Sequence, residues 1–152
     1  MSVTVRPVSA TDYAAWKPLW DGYVAFYGAT VADDVTETTF ARCLDREAPM
    51  YCFVAEVDGA VVGFAIVVLH LGTWSTAPVC YLEDLFVAES ARGRGAARAL
   101  MDFLVEAGRS QGWHRLYWQT KPGNAAAHAL YEKIGIQTDW VRYDVDMGSG
   151  PA

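Results

Sequence analysis

Residues 81–100 read Tyr81-Leu82-Glu83-Asp84-Leu85-Phe86-Val87-Ala88-Glu89-Ser90-Ala91-Arg92-Gly93-Arg94-Gly95-Ala96-Ala97-Arg98-Ala99-Leu100. An apolar strand pattern runs into a short polar turn with two glycines one residue apart, and a long helical pattern follows. Small residues at such a junction let backbone N–H groups come close to a ligand. The first turn of a helix leaves its amides unpaired and carries partial positive charge. The combination predicts a phosphate or pyrophosphate site over residues 92–98.

Outward from that turn, strand and helix signals alternate. Val3–Arg6 alternates as a strand and stops at Pro7. Trp16, Leu19, Trp20, Tyr23 and Phe26/Tyr27 recur at helical spacing, so Asp12–Tyr27 reads as a helix despite Pro18 and Gly22. An acidic loop, Ala32-Asp33-Asp34, precedes a second helix capped by Thr36. Tyr51–Val57 and Val61–Leu71 are strands joined at Asp58-Gly59, a hairpin turn signal. Val79–Val87 is the strand that enters the glycine turn. From Gly95 the positions Ala97, Leu100, Met101, Leu104 and Val105 hold one helical face, which Gly112 closes. Leu116–Thr120 is a strand, Asn124 caps a short helix over Ala125–Lys133, and Gln137–Met147 alternates as a last strand.

The order β α α β β β α β α β predicts one α/β domain over residues 1–147, with a flexible tail at 148–152. Its 152 residues suffice for a single sizeable core. Hydrophobic residues make up 53% of the chain, which excludes a disordered polymer. The net charge of -6 argues against a nucleic-acid binder held by a broad basic surface. Cys43, Cys52 and Cys80 lack paired-ligand spacing, so they read as buried apolar residues in a reducing, cytoplasmic setting, and no metal site is expected. The longest apolar run, from Ala60 to Leu71, is too short to span a bilayer and is broken by Gly63.

Two common phosphate motifs fit poorly. A P-loop needs Gly-Lys-Ser/Thr where this chain has Gly95-Ala96-Ala97. A dinucleotide fingerprint needs a third glycine where Arg98 stands, and the preceding hairpin is wrong for an open parallel sheet. Arg92-Gly93-Arg94-Gly95-Ala96-Ala97 instead resembles the acyl-CoA signature Gln/Arg-x-x-Gly-x-Gly/Ala of the GCN5-related N-acetyltransferase (GNAT) superfamily. The likeness covers almost the whole chain and includes Asn124…Ala129-Leu130-Tyr131-Glu132-Lys133-Ile134-Gly135. Tyr81–Val87 is similar to the equivalent strand of diamine/spermidine acetyltransferases. Trp16-x3-Trp20-x2-Tyr23-x2-Phe26-Tyr27, Asp33-Asp34 and Thr73-Trp74 resemble small acetyltransferases acting on polyamines, histones and D-amino acids.

The resemblance implies a mixed, mostly antiparallel twisted sheet of six to seven strands with about four helices on both faces. It implies acetyl-CoA as cofactor and direct attack by a primary amine in a ternary complex. The alternatives are a protein lysine or N-terminal acetyltransferase, and a non-catalytic acyl-CoA sensor. By the same likeness, the amides of Arg92, Gly93, Arg94, Gly95, Ala96, Ala97 and Arg98 wrap the pyrophosphate. Leu85, Phe86 and Val87 hold pantetheine through main chain, and Asn124, Ala127 and Tyr131 complete the cofactor contacts. An amide near Leu85 polarises the thioester carbonyl.

Tyr131 is the candidate general acid, because a phenol with a pKa of about 10 stays protonated at neutral pH. Asn124 and Tyr131 are about two helical turns apart and share a face; Asn124 also has the plain reading of a cap. Glu83 is the candidate general base, directly or through a water. Strict alternation turns Asp84 to the opposite strand face. Arg94 and Arg98 either add phosphate contacts or are solvated. Trp20, Tyr27, Asp33, Asp34, Trp74, Asp84 and Trp118, with Glu83, are the candidate acceptor-side residues, and Tyr23 and His70 are further possible pocket walls. A homodimer through the apolar last strand is expected, with neither nucleic acid nor membrane as partner.

Overall fold

The computed structural model describes residues 2–148, so the expected tail lies outside the described residues except for Gly148. Five strands form one sheet in the order β1-β2-β3-β4-β5: Val3–Pro7, Met50–Val57, Ala60–His70, Val79–Val87 and Arg115–Tyr117. The first four pair antiparallel, and β5 joins β4 in parallel. Four helices pack on it: α1 (Tyr13–Phe26), α2 (Asp33–Leu44), α3 (Ala96–Gln111) and α4 (Ala125–Tyr131). Short 3-10 turns precede α1 and α3 at Ala10–Asp12 and Glu89–Ala91.

The sheet alternation sorts the core into two layers. On one face Cys52, Val54, Phe64 and Ile66 meet Trp16, Leu19 and Trp20 of α1 and Phe40 of α2. On the other, Ala55, Ala65, Val67, Cys80 and Leu82 meet Ala96, Leu100, Met101 and Leu104 of α3. Those α3 positions recur at three- and four-residue spacing and form one apolar stripe. Trp16 stacks on Trp20 at 5.3 Å, and the Trp20 indole donates to Thr36 Oγ1 at 3.0 Å, which fixes α1 against α2. At the sheet edge, Arg6 of β1 binds Asp12 through two nitrogens at 2.7 and 2.9 Å and Glu56 of β2 at 2.6 Å. That fork holds the Asp12 carboxyl down at about 2, chiefly through the Arg6 hydrogen bonds.

Three expectations change. The acidic stretch Asp33-Asp34 is the first turn of α2 rather than a loop, with Ala32 at the N-cap. Carboxylates there offset the partial positive charge of the helix start, and this extends the helix upstream of Thr36. The fifth strand is three residues long, stopping at Tyr117 instead of Thr120. Finally, residues 137–147 form no strand, so the described sheet has five strands where six to seven were expected. Val141, Tyr143, Val145 and Met147 alternate as the sequence suggests, yet all are exposed. A strand needs a neighbour to satisfy its N–H and C=O groups, and no described strand pairs with this segment.

Candidate active site

The ladder between β4 and β5 is short: Val79, Cys80 and Tyr81 pair with Arg115, Leu116 and Tyr117, and pairing ends there. Beyond Tyr81, β4 continues to Val87 with β3 on one side and no strand on the other. The backbone bond from Ala88 N to Val62 O, at 2.8 Å, sets the alternation. Residues 84, 86 and 88 turn their main-chain groups toward β3. Residues 85 and 87 turn theirs to the open edge. One side-chain donor agrees with this direction: Arg92 Nε approaches Val87 O at 3.4 Å. At the bulge, the Tyr23 hydroxyl approaches Glu83 O at 3.4 Å. Leu85 and Val87 thus present main chain to the gap. Phe86 directs its main chain to β3 and its ring toward Tyr23, at 6.2 Å.

The glycine turn closes one end of this gap. Gly93 and Gly95 have φ of 82° and 83°, a region that disfavours any side chain, and nothing lies within 4 Å of where a Cβ would stand. Gly95 is the N-cap of α3, whose first bond at the cap runs from Ala99 N to Gly95 O at 2.9 Å. The N–H groups of Ala96, Ala97 and Arg98 therefore have no partner further back in the helix. Arg98 is tied sideways to Asp102 at 2.9 Å, and the Arg92 guanidinium lies 5.8 Å from the Phe86 ring centroid. Arg94 is exposed.

Across the gap stands α4. Asn124 caps it by accepting from Ala127 N at 3.3 Å, so the oxygen of Asn124 and the amide of Ala127 are used within the cap. Tyr131 sits at the helix end with its ring 5.3 Å from Trp118 in an edge-on arrangement. Burial, with a smaller contribution from nearby Tyr27, pushes the Tyr131 phenol up to about 12. It is a protonated donor across the physiological range.

A β-bulge arranges the carboxylates. Ile66 pairs with Asp84 and Val67 with Leu82, leaving Glu83 as the extra residue on β4. The insertion shifts the alternation by one, so Asp84 faces the same side as Ile66, beneath α1. The expected opposite orientation of Asp84 is therefore wrong: Glu83, Asp84, Tyr81 and Tyr23 share one neighbourhood. Burial raises the Asp84 carboxyl to about 7; the Tyr23 hydroxyl bond opposes this and the Glu83 charge adds to it. Burial also raises Glu83, partly offset by Arg142. Tyr23 is pushed well above the usual phenol range, first by burial and then by Asp84.

The other acceptor-side candidates are spread out. Trp20 is buried in the core between α1 and α2. Tyr27 is half exposed and packs on Tyr23 at 5.2 Å, on the side that reaches Tyr131. Trp118 backs Tyr131, whereas Trp74 is 94% exposed on the β3–β4 loop. Asp33 lines a shallow cleft between α1 and α2 with Asp21 and Thr36, and the Asp34 carboxylate accepts from Val35 N at 2.9 Å. Among the described residues no contact joins either aspartate to Glu83. Sequence reasoning missed Tyr81 and Tyr117, whose rings pack in a tilted arrangement, centroids 4.8 Å apart, beside the carboxylates. Both are apolar-pattern strand residues, and only the parallel register of β5 brings them together.

Four similarities bear on this geometry. The family described as Acetyltransferase (GNAT) family matches residues 16–136. D-amino-acid N-acetyltransferase HPA3 of Saccharomyces cerevisiae is 34% identical over 143 residues, covering 93% of this chain and 89% of that protein. An aminoglycoside N(6')-acetyltransferase type 1 of Salmonella typhimurium is 28% identical over 140 residues, covering 88% and 90%. Among solved structures, AAC(6')-Iy in complex with the bisubstrate analogue CoA-S-monomethyl-acetylneamine superposes with a TM-score of 0.81 at 23% identity, covering 96% of this chain and 99% of that one. This last likeness is one of fold.

Proposed function

The chain belongs to the acetyltransferase (GNAT) family and is an N-acetyltransferase, and we propose that it moves an acetyl group from acetyl-CoA to a small primary amine by direct attack in a ternary complex. The observation that carries the proposal is the open edge of β4, bounded by the Gly93–Gly95 turn at one end and by Tyr131 across the gap. The residues fit the cofactor on physical grounds. Unpaired amides at the start of α3 suit a diphosphate, and the free main chain at Leu85 and Val87 suits the amide-bearing pantetheine arm. When bound there, acetyl-CoA supplies an acetyl group activated as a thioester.

The chain's own groups then divide the work. The Leu85 N–H donates to the carbonyl oxygen at the open edge. Glu83, exposed at the bulge with a raised carboxyl, takes the proton from the acceptor ammonium. Asp84 adds a second acidic group under Tyr23. Tyr131 gives its phenolic proton to the leaving sulfur. In this reading Cys80 takes no part; it is buried, and burial raises its thiol to about 12.

The relatives bear on the acceptor. One is named for D-amino acids and one for aminoglycosides, both amine-bearing small molecules. The acidic bulge and the aromatic surround of Tyr23, Tyr27 and Tyr81 suit such a cation. We further propose a homodimer in which residues 136–147 lie against a second copy. Exposed Ile136, Trp140, Val141, Tyr143 and Val145 there form an apolar ribbon lacking a partner strand among the described residues. The free thiols of Cys43, Cys52 and Cys80 suit a reducing, cytoplasmic setting.

The test is a panel of amines mixed with protein and acetyl-CoA, read by a thiol dye and by mass detection of the product. Acetylated amine with matching release of coenzyme A is expected. No release with any amine, together with no acetyl-CoA binding by calorimetry, overturns the proposal.

A further inference from the structure

The sheet face that carries Glu83 and Asp84 extends past Tyr81 toward the β5 end, and a second polar constellation lies there. His70 on β3 and Tyr117 on β5 flank β4 and meet over it, His70 Nε2 to Tyr117 Oη at 2.9 Å. The other imidazole nitrogen, Nδ1, is 2.9 Å from the Leu71 carbonyl. A carbonyl only accepts, so Nδ1 carries the hydrogen. In the neutral imidazole Nε2 then accepts, and the Tyr117 hydroxyl must donate to it. The phenol's one hydrogen is committed, and its oxygen offers only lone pairs to anything else. Tyr81 packs at a tilt against the Tyr117 ring, centroids 4.8 Å apart, and the Arg115 guanidinium sits 5.1 Å from the same ring centroid. The His70–Tyr117 bond is solvent-exposed, so a ligand can reach it.

We infer that this His70–Tyr117 pair is a second recognition point for the acceptor, receiving a neutral hydrogen-bond donor, a hydroxyl or an amide N–H, at the end remote from the reacting amine. The inference rests on the acetyltransfer reading above and names its substrate class: amino alcohols and amino-amides. Three observations select that class. The phenol oxygen accepts and does not donate, which disfavours a carboxylate. The cation of Arg115 over the ring disfavours a second ammonium. Tyr81, whose ring adjoins Tyr117, lies two residues from Glu83 along the strand, a separation of roughly 7 Å and about the reach of a five-carbon chain. Tyr117 makes the contact; His70 is a positioning residue that fixes the direction of the phenol's hydrogen.

The experiment compares 5-amino-1-pentanol, pentylamine, 1,5-diaminopentane and 5-aminopentanoate as acceptors. The readout is the ratio of kcat/KM for the amino alcohol to that for pentylamine. A ratio taken within one protein cancels partial misfolding, because both acceptors report the same folded fraction. The wild-type ratio is expected at about five to ten, the contribution of one hydrogen bond, expressed in KM rather than kcat. Tyr117→Phe should bring the ratio to near one. His70→Ala should lower it partly, and His70→Gln, whose amide oxygen accepts the same phenol hydrogen, should restore it. Preference for the diamine or the amino acid over the amino alcohol overturns the inference. So does a wild-type ratio of one, or a ratio that Tyr117→Phe leaves unchanged. Failure of every acceptor to react, with no binding of acetyl-CoA, instead overturns the acetyltransfer reading beneath it.

Discussion

At the scale of single residues, two protonation states carry the account. Tyr131 is held as a phenol by burial, and in the proposed reaction its proton goes to the leaving sulfur. Tyr131→Phe should lower kcat by about a hundredfold, the usual scale for a positioned acid, with a far smaller change in acetyl-CoA affinity; steady-state kinetics beside calorimetry check both. Asp84 is the second. Its carboxyl stands at about 7 in the fold, against about 3.9 in an unfolded chain. The folded state therefore binds the extra proton between those values. The stability linked to it is fully present below about pH 4 and is lost as pH rises through 7. Asp84→Asn should gain stability over the wild type at pH 8, on the order of 1–2 kcal/mol after solvent screening of a half-buried group. At pH 4 the two should nearly coincide. Denaturant midpoints at both pH values measure this. Glu83 and Tyr131 are candidates because Tyr81–Val87 and the Asn124–Gly135 stretch resemble the family pattern, with residue chemistry in keeping. The side on which Asp84 falls was not legible in the sequence, because alternation is a local rule and the bulge is set by pairing with Ile66 and Val67, distant in sequence.

At the scale of elements, the junction from β4 into α3 was the most legible part of the chain. Its two positive-φ glycines, its N-cap and its apolar stripe are all local properties. Gly95→Ala should cost about 1 kcal/mol from left-handed backbone strain alone, seen as a lower denaturant midpoint, and should weaken acetyl-CoA binding by perturbing the amides of the first turn. Gly63 tests the β3–β4 pairing that directs the Leu85 main chain outward. A Cβ there would stand 2.8 Å from the Phe86 carbonyl oxygen. Gly63→Ala should push the strands apart, destabilise the fold by about 1–3 kcal/mol as overpacking does, and lower turnover; a melt with wild-type midpoint and full activity would contradict it. The start of α2 and the end of β5 were misread for one reason. Acidic residues near a helix start and β-branched or aromatic residues near a strand end state a propensity, and tertiary contacts decide where the element stops.

At the scale of the whole molecule, the two-layer arrangement followed from the order of elements, while the site depended on contacts that no local pattern records. Tyr117 and His70 are separated by 47 residues and meet over β4. The alternation of residues 137–147 was visible, but pattern alone does not supply a partner strand, and the segment lies exposed. Removing residues 137–152 should convert a dimer to a monomer in light scattering; a wild-type protein that is monomeric at all concentrations would contradict the proposed association. The central claim concerns the gap between β4 and β5, and amide hydrogen exchange with and without coenzyme A tests it most directly. The account predicts that saturation slows exchange at Leu85 and at the first-turn amides of α3, while Phe86, already turned toward β3, changes little. Binding that leaves Leu85 exchanging at its free rate would contradict it.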